Sequence, residues 1–310
     1  MSFMNATRFP RGLIQPEGSF RFSMDALLLA AFASGEAARR AADLGTGCGV
    51  VAFGLALRFP KLACTGVDTE AALIDAARAN ALALGLGERL AFALGDVADK
   101  AAGLEYGSCE LVTANPPYRV AGTGRRIVSP IRQSALEAPQ GALADFARAA
   151  GLLLRHHGRF ACVFLPERLG QLFAALQSAR LGPRRLRCVH PRPGARACLV
   201  LVEARKNARP DVTIETPLVL HAGVCGKAFS PEALAFCPWL GVWGSAPPCR
   251  DGSSALLSPS VRLASSPSSP DGKPGHCRTC TMQGTIHVMC TLRVGVRSCI
   301  RRFFVGEVTS

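Results

Sequence analysis

Over roughly the first 222 residues, short β-rich runs alternate with Ala/Leu-rich stretches of helical period, the pattern that builds a mostly parallel sheet covered by helices. Strands are expected over residues 41–43, 62–68, 89–94, 111–114 and 159–165, and helices over 50–58, 71–84 and 143–156. A further helix over 166–179 leads to runs 185–190 and 197–203, joined by a Pro/Gly loop at 191–194 that favours an antiparallel closing pair. The expected fold class is α/β: seven strands, five parallel first, with helices on both faces. Ahead of the sheet, Ser23 is placed to cap a short helix over 24–33, with Asp25 at the positive end of its dipole.

Composition supports a cored domain: 49% of the 310 residues are hydrophobic and 19% charged. No apolar run approaches the roughly 18 residues that span a bilayer, and the start lacks the pattern of an export signal. A cytoplasmic protein with no membrane partner and with reduced thiols is therefore expected, despite 13 cysteines. The net charge of +14 points to a polyanionic partner, nucleic acid first, although Arg-rich, Ala-rich usage also fits a GC-rich genome. Beyond about residue 240 the periodicity fails. Residues 241–310 hold 11 Ser, 6 Pro, 8 Gly, five Cys and only three acids. The division expected is thus a domain over 1–240, with a lead-in over 1–40, and a basic tail over 241–310 that reads either as disordered or as translated in a shifted frame. Within the tail, Cys277, Cys280, His287 and Cys290 are ligand-type residues whose spacing matches no zinc module; no metal is expected.

Asp43-Leu44-Gly45-Thr46-Gly47-Cys48-Gly49 follows the first strand and opens a helix, where a nucleotide-like ligand meets backbone with no side chain in its way. The spacing is G-x-G-x-G, with Val50 where the dinucleotide fingerprint wants glycine, and no Lys follows to hold a phosphate. Asp68 ends the second strand, placed for ribose hydroxyls, and Asp96 ends the third, placed for an exocyclic amine. Three acids at three successive strand ends form one rim. Cys48 reads as a small packing residue.

Asn115-Pro116-Pro117-Tyr118 follows the fourth strand and so lies on the same rim. With no amide at either proline, the Asn115 side chain and the Pro116 carbonyl can both accept from one planar NH2 group, while Tyr118 offers a stacking face. Such a grip directs the amine lone pair towards an electrophile without a strong general base.

With this tetrad the chain resembles the class I S-adenosylmethionine-dependent methyltransferases that modify planar nitrogen, over about residues 8–223. More narrowly, Gly18-Ser19-Phe20-Arg21-Phe22-Ser23-Met24-Asp25 and the following Ala26–Ala30 are similar to the lead-in of the bacterial tRNA1(Val) adenine-N6 methyltransferase family, as are Arg184–Arg192 and Leu199–Ala204. The resemblance implies a Rossmann-like seven-stranded sheet and S-adenosylmethionine held by Asp43, Gly45, Thr46, Gly47, Gly49, Asp68, Asp96 and Asn115. It also implies catalysis by Asn115, Pro116, Pro117 and Tyr118, Phe22 to Asp25 closing over the site, and methylation of the adenine beside the anticodon of a tRNA. The family's Ala-Arg-(His/Phe)-Glu-like stretch has only Ile131–Glu137 to answer it, and Ser230–Leu234 looks like the family's ending.

Nine cations and one acid lie between Arg180 and Arg209, a patch suited to backbone phosphates. Arg184, Arg185 and Arg187 there, with Arg125 and Arg126 beyond the tetrad, are the expected substrate contacts. Methylation of a glutamine amide in a protein such as a release factor is the alternative chemistry, since that amide is also a planar NH2. Those relatives carry a helical domain ahead of the sheet, for which about 40 residues leave little room. DNA methylation lacks a recognition insertion, and a non-catalytic RNA-binding relative stands as a further alternative.

Overall fold

A computed structural model describes residues 9–16, 23–99, 103–117, 119–120, 137–138, 141–223 and 226–243. Its centre is β1 (Arg40–Leu44), flanked by β2 (Ala63–Asp68) on one side and β4 (Cys109–Ala114) on the other, all parallel. β3 (Leu90–Leu94) extends the sheet beyond β2, while β5 (Arg119–Val120) and β6 (Glu137–Ala138) pair separately. β7 (Leu154–Phe164) lies parallel beyond β4. β8 (Leu181–His190) and β9 (Leu199–Lys206) form the antiparallel closing pair, and it is the later strand that sits against β7. β10 (Thr213–Ile214) and β11 (Leu218–Val219) add to the outer edge of β8. The five parallel strands and closing pair follow the expectation, while these two-residue additions are too short to leave a readable period.

Helices cover both faces. On one lie α1 (Met24–Phe32), α2 (Val50–Arg58) and α3 (Ala71–Ala83), their apolar residues merging with Cys64, Leu90 and Leu111 of the sheet. On the other lie α4 (Ala142–Leu153) and α5 (Leu169–Ser178), packed on Leu44, Val112, Phe160 and Leu186. Ser23 stands at the N-cap of α1 without a side-chain bond to the first turn, which its carbonyl begins by accepting from Ala26 N at 3.3 Å. At the other end of α1, the Arg58 guanidinium donates to the carbonyls of Ala30 and Ala33 at 2.6 and 2.8 Å, supplying the partners that a helix C-terminus lacks.

The expected helix over 143–156 ends at Leu153, because Leu154 enters the ladder opposite Cys109 and backbone pairing outweighs helical propensity. His156 and His157 therefore lie in β7 rather than at a helix end. After β11 the chain returns to the first face through α6 (Pro231–Phe236) and α7 (Leu240–Trp243). The Ser230 hydroxyl accepts from Ala233 N at 3.0 Å and donates to Val219 O at 2.6 Å, which caps α6 and binds it to the sheet edge. Trp239, 3% exposed, meets Phe9 at 5.5 Å between ring centres and lies over Gly54, where a Cβ would stand 3.1 Å from the indole. Among the described residues no helix is long and apolar enough to cross a membrane.

The indole of Trp239 thus closes the first face, and Trp239→Ala should cost about 3–5 kcal/mol in denaturant unfolding. A chain ending after Trp243 should melt within about 4 °C of the full chain, whereas a larger loss would show that residues 244–310 belong to the core.

Candidate active site

The register of the sheet assembles the rim. Leu44 lies opposite Val67 on β2 and opposite Ala114 on β4, so the chain leaves β1 into Gly45 between Asp68 and Asn115. Asp68 lies opposite Leu94, two residues before Asp96. The connection after β1 passes to the α2 face and that after β4 leads to the α4 face. The strand order thus reverses between β1 and β4, the place where open α/β sheets form a ligand crevice.

Gly45, Gly47 and Gly49 all adopt positive φ, at +68°, +55° and +94°, a backbone that side chains resist. Gly49 is also sterically fixed, since a Cβ there would stand 2.8 Å from the Phe53 ring. At Gly47 a Cβ would meet nothing within 4 Å, which leaves bare backbone facing open space. The turn is pinned to β2 through Thr46 N to Val67 O at 3.0 Å and through Gly47 N to Asp68 Oδ2 at 2.8 Å. The other Asp68 oxygen takes the Glu70 amide at 3.1 Å. Burial raises the Asp68 carboxyl above its ordinary value, and those amide donors oppose the shift.

Asp43 is sealed beneath the turn, 1% exposed. Its Oδ2 accepts from the Thr46 hydroxyl at 2.7 Å and its Oδ1 from the Thr113 hydroxyl at 2.8 Å. Burial lifts its pKa from 3.8 to about 7 against the two hydroxyl donors that favour the charged form. Both oxygens face inward, so Asp43 holds the turn to β4. Cys48, another member of the turn, is buried, and its thiol is pushed up to about 11 by desolvation, consistent with a packing role.

Asp96 is exposed, and its Oδ1 accepts from Ala98 N at 2.8 Å, which shapes the turn after β3. Arg148 of α4 fastens the same turn by donating to Ala98 O at 2.8 Å. Beside Asp68, Leu94 is 57% exposed, an apolar surface among polar groups. Asn115 and Pro117 are half-buried and Pro116 is buried. Tyr118, Arg125, Arg126 and Phe22 lie outside the described residues.

Sequence reasoning missed Thr113 and Asn80. Asn80, 2% exposed on α3, accepts from Ile14 N at 2.7 Å and donates to Ile14 O at 3.0 Å and to Cys48 O at 3.4 Å, strapping the lead-in to the glycine turn. A lone amide on the apolar side of an Ala-rich helix was the available signal.

The expected substrate arginines on β8 also make contacts within the fold. Arg185 lies over the Phe32 ring at 4.1 Å, donates to Phe32 O and Ser34 Oγ at 2.7 and 2.9 Å, and pairs with Glu215 at 2.8 Å. Arg187 donates to Thr216 O at 3.0 Å and covers the Phe236 ring at 4.6 Å. Both guanidinium groups thus help to pack the sheet against the helices. Arg184 pairs with the exposed Asp211 at 3.2 Å.

The rim fits an adenosine-bearing sulfonium. Bare backbone at Gly47 can receive a chain close to the turn, the lone pairs left on Asp68 can accept from ribose hydroxyls, and Asp96 and Leu94 can meet the amine and face of a base. Among the described residues no group of His, Cys, Asp or Glu is arranged to hold a metal.

A family model described as "Methyltransferase small domain" matches residues 23–164. Two curated relatives from strains of Porphyromonas gingivalis, both named tRNA1(Val) (adenine(37)-N6)-methyltransferase, are 30% and 29% identical to the chain. The matches span 56% and 60% of this chain and 70% and 75% of theirs. A release factor glutamine methyltransferase of Chlorobaculum tepidum is 37% identical over 37% of this chain and 42% of its own. Among solved structures, a predicted O-methyltransferase from Agrobacterium tumefaciens superimposes with a TM-score of 0.57 at 27% identity, covering 69% of this chain and 95% of that one.

The buried carboxyl yields a pH prediction. Between about pH 4 and 7 the folded chain keeps a proton on Asp43 that the unfolded chain has released, so this group lowers stability as pH rises through that window. Asp43→Asn should flatten the slope of unfolding free energy there by up to about 1.4 kcal/mol per pH unit. Equal slopes in denaturant titrations of the two proteins would contradict it.

Proposed function

Because the chain belongs to the S-adenosylmethionine-dependent tRNA1(Val) (adenine(37)-N6)-methyltransferase family, we propose that it methylates the exocyclic N6 of an adenine in a tRNA anticodon loop. The observation that carries this reading is the register that sets the glycine turn between Asp68 and Asn115-Pro116-Pro117. When bound, S-adenosylmethionine supplies an electrophilic methyl group on a sulfonium. Asp68 would take its ribose, Asp96 its adenine amine, and the Gly45–Gly49 backbone the chain between ribose and amino acid.

The residues of the tetrad do the rest by positioning. Asn115 Oδ1 and the Pro116 carbonyl accept the two protons of the target amine, fixing its plane and turning its lone pair out of conjugation. Pro117 and Pro116 lack amide donors, so no N–H competes for that lone pair. Tyr118 stacks on the base. Gaining the methyl group leaves the amine positively charged and a far stronger acid than before, so it releases one proton to solvent and no buried base is needed. An adenine in a single-stranded loop reaches such a pocket at lower cost than one in a duplex.

Labelled-methyl transfer into unmodified bulk tRNA, followed by nucleoside analysis, should give N6-methyladenosine, with DNA and a release factor as parallel acceptors. Label on a protein glutamine instead would overturn the reading. Asn115→Ala should lower transfer by about 100-fold or more while cofactor affinity, measured by calorimetry, changes far less. Undiminished activity in that variant would overturn the role of the tetrad.

A further inference from the structure

A groove of about 880 Å³ runs between α4 and α5, and of the basic patch over residues 180–209 its lining includes Arg180 and Lys206. Pro117 of the tetrad and Gly141 and Ala142 at the start of α4 wall its near end. Ser178, Arg180 and Lys206 wall the far end. The 12 residues of α4 make this path roughly 18 Å long at 1.5 Å rise per residue.

Its charge is one-sided. Arg148, Arg168, Arg180 and Lys206 line it, and no carboxylate does among the described residues. The acid beside it, Asp145, is already bonded to Arg148 at 2.8 Å. At the far end, Lys206 donates to the Gly151 carbonyl, and burial together with the neighbouring charge of Arg180 lowers the pKa of its ammonium. Two cations are thus held near one another, with no acid among the described residues lining the groove to offset them. At the near end the Arg168 guanidinium lies 5.3 Å over the Phe164 ring and is steadied by Gln171 at 2.8 Å. Between the ends, Arg148 is accompanied by small apolar residues, Ala144, Ala174 and Ala175. Cations spaced along an otherwise apolar channel match a single nucleic-acid strand, whose phosphates recur and whose bases carry apolar faces.

We propose that this groove binds the single-stranded RNA flanking the target adenine, with backbone phosphates on Arg168 beside Pro117 and on Arg180 and Lys206 at the far end. The inference rests on the reading of the rim as an adenine methyltransferase and adds where its substrate runs. Phosphate contacts here give register and affinity without sequence information, leaving the rim to choose the base.

The full-length double variant Arg168→Gln/Arg180→Gln tests it. Its KM for unmodified tRNA should rise about tenfold, and the slope of log binding constant against log salt should shrink by about 1.4, at roughly 0.7 per lost phosphate contact on a single strand. Its affinity for S-adenosylmethionine should stay within about twofold. Ala174→Glu, at an exposed position of the α5 wall, removes no donor used by the fold and should raise the KM for tRNA as well. Unchanged KM and salt slope in both variants, with the parent chain methylating tRNA, would overturn the groove alone. Transfer by the parent chain into protein and not RNA would overturn the reading of the rim, and the groove with it.

Discussion

The Asp43 carboxyl, sealed beneath the glycine turn, takes hydroxyl hydrogen bonds from Thr46 on one side and Thr113 on the other, and so ties the turn leaving β1 to the end of β4. The connections that follow these two strands lead to opposite faces of the sheet, and their first residues, Gly45 and Asn115, lead into the two halves of the site. Burial makes the arrangement costly, since it pushes the carboxyl up to about 7, and the two hydroxyls offset part of that cost.

Around that link the rest of the rim is assembled by register. Once Leu44 pairs with Val67 and Ala114, the positions of Asp68 and Asn115 follow, and the pairing of Asp68 with Leu94 brings Asp96 into the same arc. Side-chain contacts then hold each turn in place: Asp68 on Gly47 and Glu70, Arg148 on Ala98, Asn80 on Ile14 and Cys48. The site is therefore backbone held in place by committed side chains, which suits chemistry that needs an oriented amine more than a strong base.

Much of this was legible in the residues. The alternation of strand and helix patterns located the central strands, and α2 spans Val50–Arg58 as its period required. The glycine turn and the Asn-Pro-Pro run were visible because both restrict the backbone by local chemistry. Long-range pairings were less visible. Thr113 looks like any β-branched strand residue until β4 lies beside β1. Arg185 and Arg187 read as a basic patch until Phe32, Phe236 and Glu215 surround them. His156 reads as a helix end until Leu154 pairs with Cys109. In each case the deciding partner is distant in sequence.

The decisive experiment for this reading of the site is a crystal structure with S-adenosylhomocysteine and adenosine monophosphate. Ribose hydroxyls should then lie on Asp68, and the N6 amine of the monophosphate about 3 Å from both Asn115 Oδ1 and the Pro116 carbonyl. A monophosphate base seated away from the tetrad, or a cofactor that leaves Gly47 and Asp68 untouched, would contradict it.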